Sequence, residues 1–140
     1  MDEKKYMIQD FTPVEASELL DTVASLKEQG YRLGQACCTT LEDHLEVLYS
    51  FDKDHVLHNL KLCLPKVNPE VMSITGIIWS AFIYENEIHD LFGVTFKHSE
   101  LDYGGNFFRI AEKTPWNKDA CAVSAEEPAE AVDEEKAIEQ

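Results

Sequence analysis

The stretch YENEIHDLFG, residues 84–93, places Glu85, Glu87, His89 and Asp90 close together in one helical-looking run. Residue types of this kind at this spacing could do three sorts of work. Two carboxylates on one face could serve as the acid and base of a glycosidase-like site. Acids beside a histidine could hold a metal ion. The same acids could instead form a wet helix face or a docking surface for another protein. Glu87 and Asp90, three apart, can reach one patch, and Glu85 and His89, four apart, share another.

The rest of the chain gives the first two possibilities little support. Nothing else resembles a sugar site. The di-iron pattern needs Glu-x-x-His with a second copy, and neither feature occurs here. His55 and His58 fall on opposite faces of a strand and cannot chelate together. Cys37, Cys38, Cys63 and Cys121 contain no C-x-x-C pair, so they read as reduced thiols filling space rather than cluster ligands. There is no Walker or Rossmann glycine pattern. YGGN at 103–106 signals a turn, since no helix start follows it. No nucleophile–base arrangement can be read for a serine or cysteine.

The elements that must position this stretch can be read from periodicity. TPVEASELLDTVASLKEQG reads as a helix: Thr12 as N-cap, Pro13 in the first turn, Glu15 completing a capping box, and Gly30 as the stop. Strands are expected over 31–40, 45–52 and 55–64. In the second, Leu45, Val47, Tyr49 and Phe51 share a face; in the third, Val56, Leu60, Leu62 and Leu64 do. Their short polar connections predict an antiparallel meander ended by Pro65. A short strand at MSIT precedes a second helix over 77–92, stopped by Gly93. VTF is expected to return to the sheet, and FFRIA to add an edge strand. The class is α+β: a small mixed or antiparallel sheet, an N-terminal helix, and a second, partner-facing helix.

That second helix carries apolar side chains nearly all round, which predicts burial on more than one side. Either this chain or another protein must cover what the small sheet does not. With only Arg32 and Arg109 as arginines, a partner could also supply the cations that buried carboxylates need.

Bulk properties narrow the partners. The chain has 140 residues, enough for one core, and a net charge of −15 with pI near 4.5. That balance argues against nucleic acid and against an anionic membrane surface. The N-terminus shows no apolar signal region and no apolar run reaches spanning length, so a cytoplasmic chain without direct membrane insertion is expected. Residues 126–140 carry seven acids, one lysine and no aromatic. A single domain over 1–118 with an acidic, disordered tail over 119–140 is therefore expected.

SITGIIWSAFIYENEIHDLFGVTF, residues 73–96, resembles the signature of the hydrophilic 30 kDa subunit of respiratory complex I, the NADH dehydrogenase of respiratory chains. That pattern runs Ser-Ile-Thr, an aromatic helix, then Glu-Arg-Glu-x-x-Asp-φ-Phe-Gly-φ-x-Phe, with φ apolar. Glu85, Glu87, Asp90, Phe92, Gly93 and Phe96 match it, and Asn86 stands in place of the arginine. The basic C-terminal segment of quinone-reducing members is missing. ENEIHDLFG and LDYGGNFFRIA look more like the short version of this subunit found in Ech-type energy-converting membrane-bound [NiFe] hydrogenases.

The resemblance implies a structural or assembly subunit with no active site and no cofactor of its own. It would dock on the hydrogenase large subunit, near iron–sulfur subunits, on the cytoplasmic side of a membrane complex. The nickel–iron centre and iron–sulfur clusters would belong to those partners. The partner-facing set would be Trp79, Glu85, Glu87, His89, Asp90 and Phe92, with Arg109 or a partner's basic residue as the cation for Glu87 and Asp90. The alternatives are a 30 kDa-type component of a respiratory NADH or related dehydrogenase, and a free-standing protein-binding module of the same fold.

Overall fold

The computed structural model describes residues 8–121. In chain order they form β1 (Ile8–Pro13), a 3-10 turn at Ala16–Glu18, α1 (Leu19–Glu28), β2 (Arg32–Thr40), β3 (Leu45–Lys53), β4 (Val56–Leu64), β5 (Glu70–Met72), α2 (Ala81–Phe92) and β6 (Thr95–Lys97). The main sheet is mixed, in the order β1-β4-β3-β2. β2, β3 and β4 form the expected antiparallel meander.

Strict alternation builds the core face. Leu45, Val47, Tyr49 and Phe51 are all fully buried. Leu64, Leu62 and Leu60 stand directly opposite the first three of them. Leu19, Val23 and Leu26, at helical spacing on α1, join the same core. α1 ends in a left-handed Gly30, φ +91. The Gly30 and Tyr31 N–H groups donate to Lys27 O and Leu26 O, the paired bonds that close a helix of this kind. The β3–β4 hairpin turns on Asp54 and His55, both at positive φ, which matches the twist of the flanking strands.

The helix expected from Thr12 begins later, because residues 8–13 form a strand. β1 runs parallel to β4 in register from Ile8↔Val56 to Pro13↔Lys61. The capping signals at Thr12 and Pro13 lose to this pairing: Ile8 N–H donates to His55 O and Val14 N–H to Lys61 O. Neither the 3-10 turn nor α1 has a side-chain cap. Asn59 secures the strand from β4, its Nδ2 donating to Asp10 O at 2.9 Å and its Oδ1 accepting from Ser50 Oγ at 2.6 Å. Proline at the last position of an edge strand costs the ladder nothing.

Three other expectations are corrected. VTF does not rejoin the main sheet; β6 pairs in parallel with β5 in a separate two-stranded sheet. α2 starts at Ala81, and Ile77 and Ile78 instead close a turn onto Ile74 O. FFRIA forms no strand. The domain also extends past residue 118. Ala120 is 2% exposed, and its carbonyl accepts the Asn68 N–H at 2.9 Å. From residue 122 the expected acidic tail lies outside the described residues.

This packing yields a direct test. A chain ending at residue 118 loses the buried Ala120 methyl and the Asn68 bond, so urea unfolding should show it less stable by about 1–2 kcal/mol. A chain ending at residue 121 should match the full-length protein. Equal stability of all three would show that residues 119–121 contribute nothing.

Candidate functional site

α2 lies beside β2, where the Tyr84 hydroxyl donates to Gly34 O at 3.1 Å, at the register shift of that strand. Its inward polar side chains do one task repeatedly: they bond the backbone of segments that have no secondary structure.

Glu85 is 2% exposed. Its carboxylate accepts from Ser73 Oγ at 2.5 Å and from the Ile74 N–H at 2.8 Å. Ser73 Oγ in turn accepts the Thr75 N–H and lies 2.7 Å from Thr75 Oγ1. Thr75 Oγ1 accepts the Glu100 N–H. Ser-Ile-Thr and the first glutamate of the signature are therefore one hydrogen-bonded unit. Burial lifts the Glu85 carboxyl to about 7, against the opposing pull of its Ser73 and Ile74 donors. The same burial, with the Glu85 charge, pushes the fully buried Tyr49 hydroxyl upward.

Asn86 works one step round the helix. Its Nδ2 donates to Phe82 O and Leu101 O, and its Oδ1 accepts the Tyr103 N–H. His89 Nδ1 lies 2.8 Å from Val94 O, and a carbonyl only accepts, so Nδ1 carries the proton. Asp90, 4% exposed, accepts the Phe108 N–H through Oδ2 at 2.8 Å. No donor among the described residues reaches its Oδ1.

The six residues singled out from the sequence thus separate. Glu85 and Asp90 turn inward onto different segments. Phe92 is buried with its ring edge-on to Trp116, centroids 5.5 Å apart. His89 and Glu87 are half-buried. Trp79, 55% exposed, leans on Phe82 near the exposed Ile83. Among the described residues no ion pair joins Arg109 to Glu87 or Asp90, and no three His, Cys, Asp or Glu side chains are grouped to hold a metal. No described helix is long and apolar enough to cross a membrane.

Sequence reasoning missed Asn117. Its buried Nδ2 donates to Phe92 O and Lys66 O, while the Trp116 N–H donates to Leu91 O, so residues 116 and 117 cap α2. No periodicity marks a lone asparagine in an irregular segment.

The family described as "Respiratory-chain NADH dehydrogenase, 30 Kd subunit" matches residues 12–120. The chain belongs to this 30 kDa subunit family. It is 43% identical over 63 residues to a subunit of the F(420)H(2) dehydrogenase of Methanosarcina mazei, covering 42% of this chain and 39% of that protein. The chain thus matches only about two-fifths of the relative's length. Two solved structures share the fold. A trypsin-resistant fragment of Nqo5 is 18% identical with a TM-score of 0.59, covering 66% of this chain and 82% of that one. A chain of the membrane-bound sulfane sulfur reductase, an archaeal respiratory membrane complex, is 18% identical with a TM-score of 0.70, covering 95% and 86%. In this chain the fold is an α+β frame whose signature helix bonds its own loops.

Glu85 makes stability depend on pH. Its folded value, about 7, lies above its ordinary 4.5, so the folded chain holds the proton more tightly. The stabilisation is complete below about pH 4.5 and is lost as pH rises through 7, about 3 kcal/mol in all. Glu85→Gln removes the titration. The stability of wild type minus variant, from urea melts at pH 5 and pH 8, should fall by that order; a constant difference would show that Glu85 titrates normally.

Gly93 ends α2 at φ +76, and a β-carbon there would stand 2.6 Å from Ala120 Cβ and 2.8 Å from Thr114 Cγ2. Gly93→Ala should therefore cost about 2–4 kcal/mol through backbone strain and overpacking. A loss under half a kcal/mol in the same melts would mean that the 114–120 segment yields freely.

Proposed function

We propose that this chain is a non-catalytic assembly subunit of a membrane-bound oxidoreductase complex related to complex I. The observation that carries this is the use of the signature acids. Glu85, and Asp90 through its Oδ2, fix loops of their own chain, while Trp79, just before α2, and Ile83, in its first turn, stand exposed. A rigid frame with exposed aromatic surface suits association.

In the finer reading the complex is an energy-converting [NiFe] hydrogenase. This chain would sit against its large subunit on the cytoplasmic side, peripheral to the membrane, without metal, flavin or cluster of its own. The likeness of ENEIHDLFG and LDYGGNFFRIA to the short Ech-type subunit supports it. A second reading, a 30 kDa-type component of an F420H2- or NADH-type dehydrogenase, is favoured by the 43% identity over 63 residues to the Methanosarcina mazei protein.

Affinity purification of the tagged chain from its native cell separates the readings. Co-elution with a nickel-containing large subunit and hydrogen-evolving activity supports the first. Co-elution with an F420H2- or NADH-oxidising module supports the second. A chain that elutes alone from gently solubilised membranes and cytosol, or carries stoichiometric metal by elemental analysis, would overturn the assembly reading.

A further inference from the structure

Glu85, Ser73, Thr75 and Glu100 form one unbroken hydrogen-bond chain. The Glu100 N–H donates to Thr75 Oγ1 at 2.9 Å, Thr75 Oγ1 lies 2.7 Å from Ser73 Oγ, and Ser73 Oγ lies 2.5 Å from Glu85 Oε2. The Thr75 N–H takes one lone pair of Ser73 Oγ, and the Ile74 N–H takes Glu85 Oε1. Ser73, Thr75 and Glu85 are each at most 6% exposed.

A hydroxyl has one hydrogen and two lone pairs, and that inventory leaves the chain two arrangements. With Glu85 ionised, Oε2 only accepts, so Ser73 donates to it. The free lone pair of Ser73 Oγ then accepts the Thr75 hydroxyl, and every donor runs one way, from the Glu100 N–H to the carboxylate. With Glu85 protonated on Oε2, that O–H donates to Ser73 and fills its second lone pair. Ser73 must then donate to Thr75 Oγ1, which already holds the Glu100 N–H. The Thr75 hydrogen leaves the chain, and two donors meet head-on at one oxygen. Bonds that run one way polarise and strengthen one another; opposed bonds lose that gain.

A cavity of about 30 Å³, lined by Glu85, Asn86, His89, Ser99 and Asp102, has room for one water and gives the carboxyl a way to exchange its proton. The titratable groups around Glu85 are His89 and Asp102 on that cavity, and Tyr49 from β3, whose hydroxyl feels the Glu85 charge. The Glu100 carboxylate stands beside Gly76. No ion pair reaches Glu85 among the described residues. Burial brings Glu85 to about 7, so both arrangements are populated around neutral pH.

We propose that this chain is a proton-set latch on residues 99–103: ionised Glu85 tightens the hold of Thr75 on the Glu100 N–H, and protonated Glu85 slackens it. The segment carries the exposed Tyr103, whose ring meets Phe107 edge-on with centroids 5.2 Å apart, so the latch sets how firmly that aromatic pair is held. Asn86, which does not titrate, fixes the same segment at Leu101 and Tyr103 in both states. The latch goes beyond the assembly reading and does not depend on it.

Nuclear magnetic resonance of the full chain reads both ends. Between pH 5 and pH 8 the Glu85 side-chain carboxyl carbon should titrate, and the Glu100 amide proton should move downfield with the same midpoint. Its protection against exchange, corrected for the intrinsic pH dependence, should rise roughly two- to tenfold. Global stability falls over the same range, so amides that exchange only through complete unfolding should lose protection, and the opposite signs separate the latch from general loosening. Glu85→Gln, which keeps His89 and Asp102, should leave the Glu100 amide flat. In Thr75→Val, Glu85 should still titrate while Glu100 no longer follows, and Thr75→Ser should keep the coupling.

A Glu100 amide that stays put while Glu85 titrates, or that loses protection as pH rises, would overturn the latch. So would an inflection that survives in Glu85→Gln or Thr75→Val or is missing from Thr75→Ser, or a Glu85 carboxyl that does not titrate between pH 5 and pH 8. Should Thr75→Val fail to fold, the wild type and Glu85→Gln decide.

Discussion

Irregular backbone cannot be buried unless something supplies its missing donors and acceptors. That constraint organises this protein. Between Met72 and Ala81, and again from Lys97 to Ala120, the chain has almost no repetitive structure, yet it packs against the core. α2 resolves the conflict with side chains in place of a ladder. Glu85 serves the Ser73–Thr75 turn, Asn86 the Leu101–Tyr103 stretch, Asp90 Phe108 and His89 Val94. The helix thereby does the work that another strand would do in a larger sheet. It is apolar nearly all round because the core lies on one side and the segments it binds lie on the other.

The same constraint explains what could be read from the sequence. Period-two alternation in Leu45–Phe51 and Leu60–Leu64 is a local signal, and the strands followed it. Gly30 and Gly93 stop their helices because each adopts the left-handed conformation where a side chain would be strained. β1 was not legible. Thr12 and Pro13 imitate a helix start, and the partner that overrides them, β4, lies more than forty residues away. The region after Lys97 was illegible for a different reason: its conformation is dictated by hydrogen bonds from α2 and by Asn117, none of which follows a period.

Of the candidate site, the sequence marked the residues and left their direction open. A helical wheel places Glu85 and Asp90 among apolar neighbours but cannot say that each faces its own chain. Asn86 shows why a departure from the family pattern can be accommodated. Its short amide bonds a carbonyl and an N–H of one adjacent segment at once, and no ion pair is needed to hold that segment. Trp79 was legible as apolar, but it lies in the turn before α2 begins and is more than half exposed.

The parallel pairing of β1 with β4 also has a temporal consequence. A ribosome makes the chain from its N-terminus, so β1 is synthesised before β2, β3 and β4. The two hairpins join neighbouring strands and can close as soon as each second strand emerges. β1 can find its place only after Val56–Leu64 is available, and the intervening loop must then be closed across the whole meander. The first strand made is the last strand seated. Until then the newborn chain displays an unpaired edge of β4, a state in which nascent-chain chaperones would find their substrate.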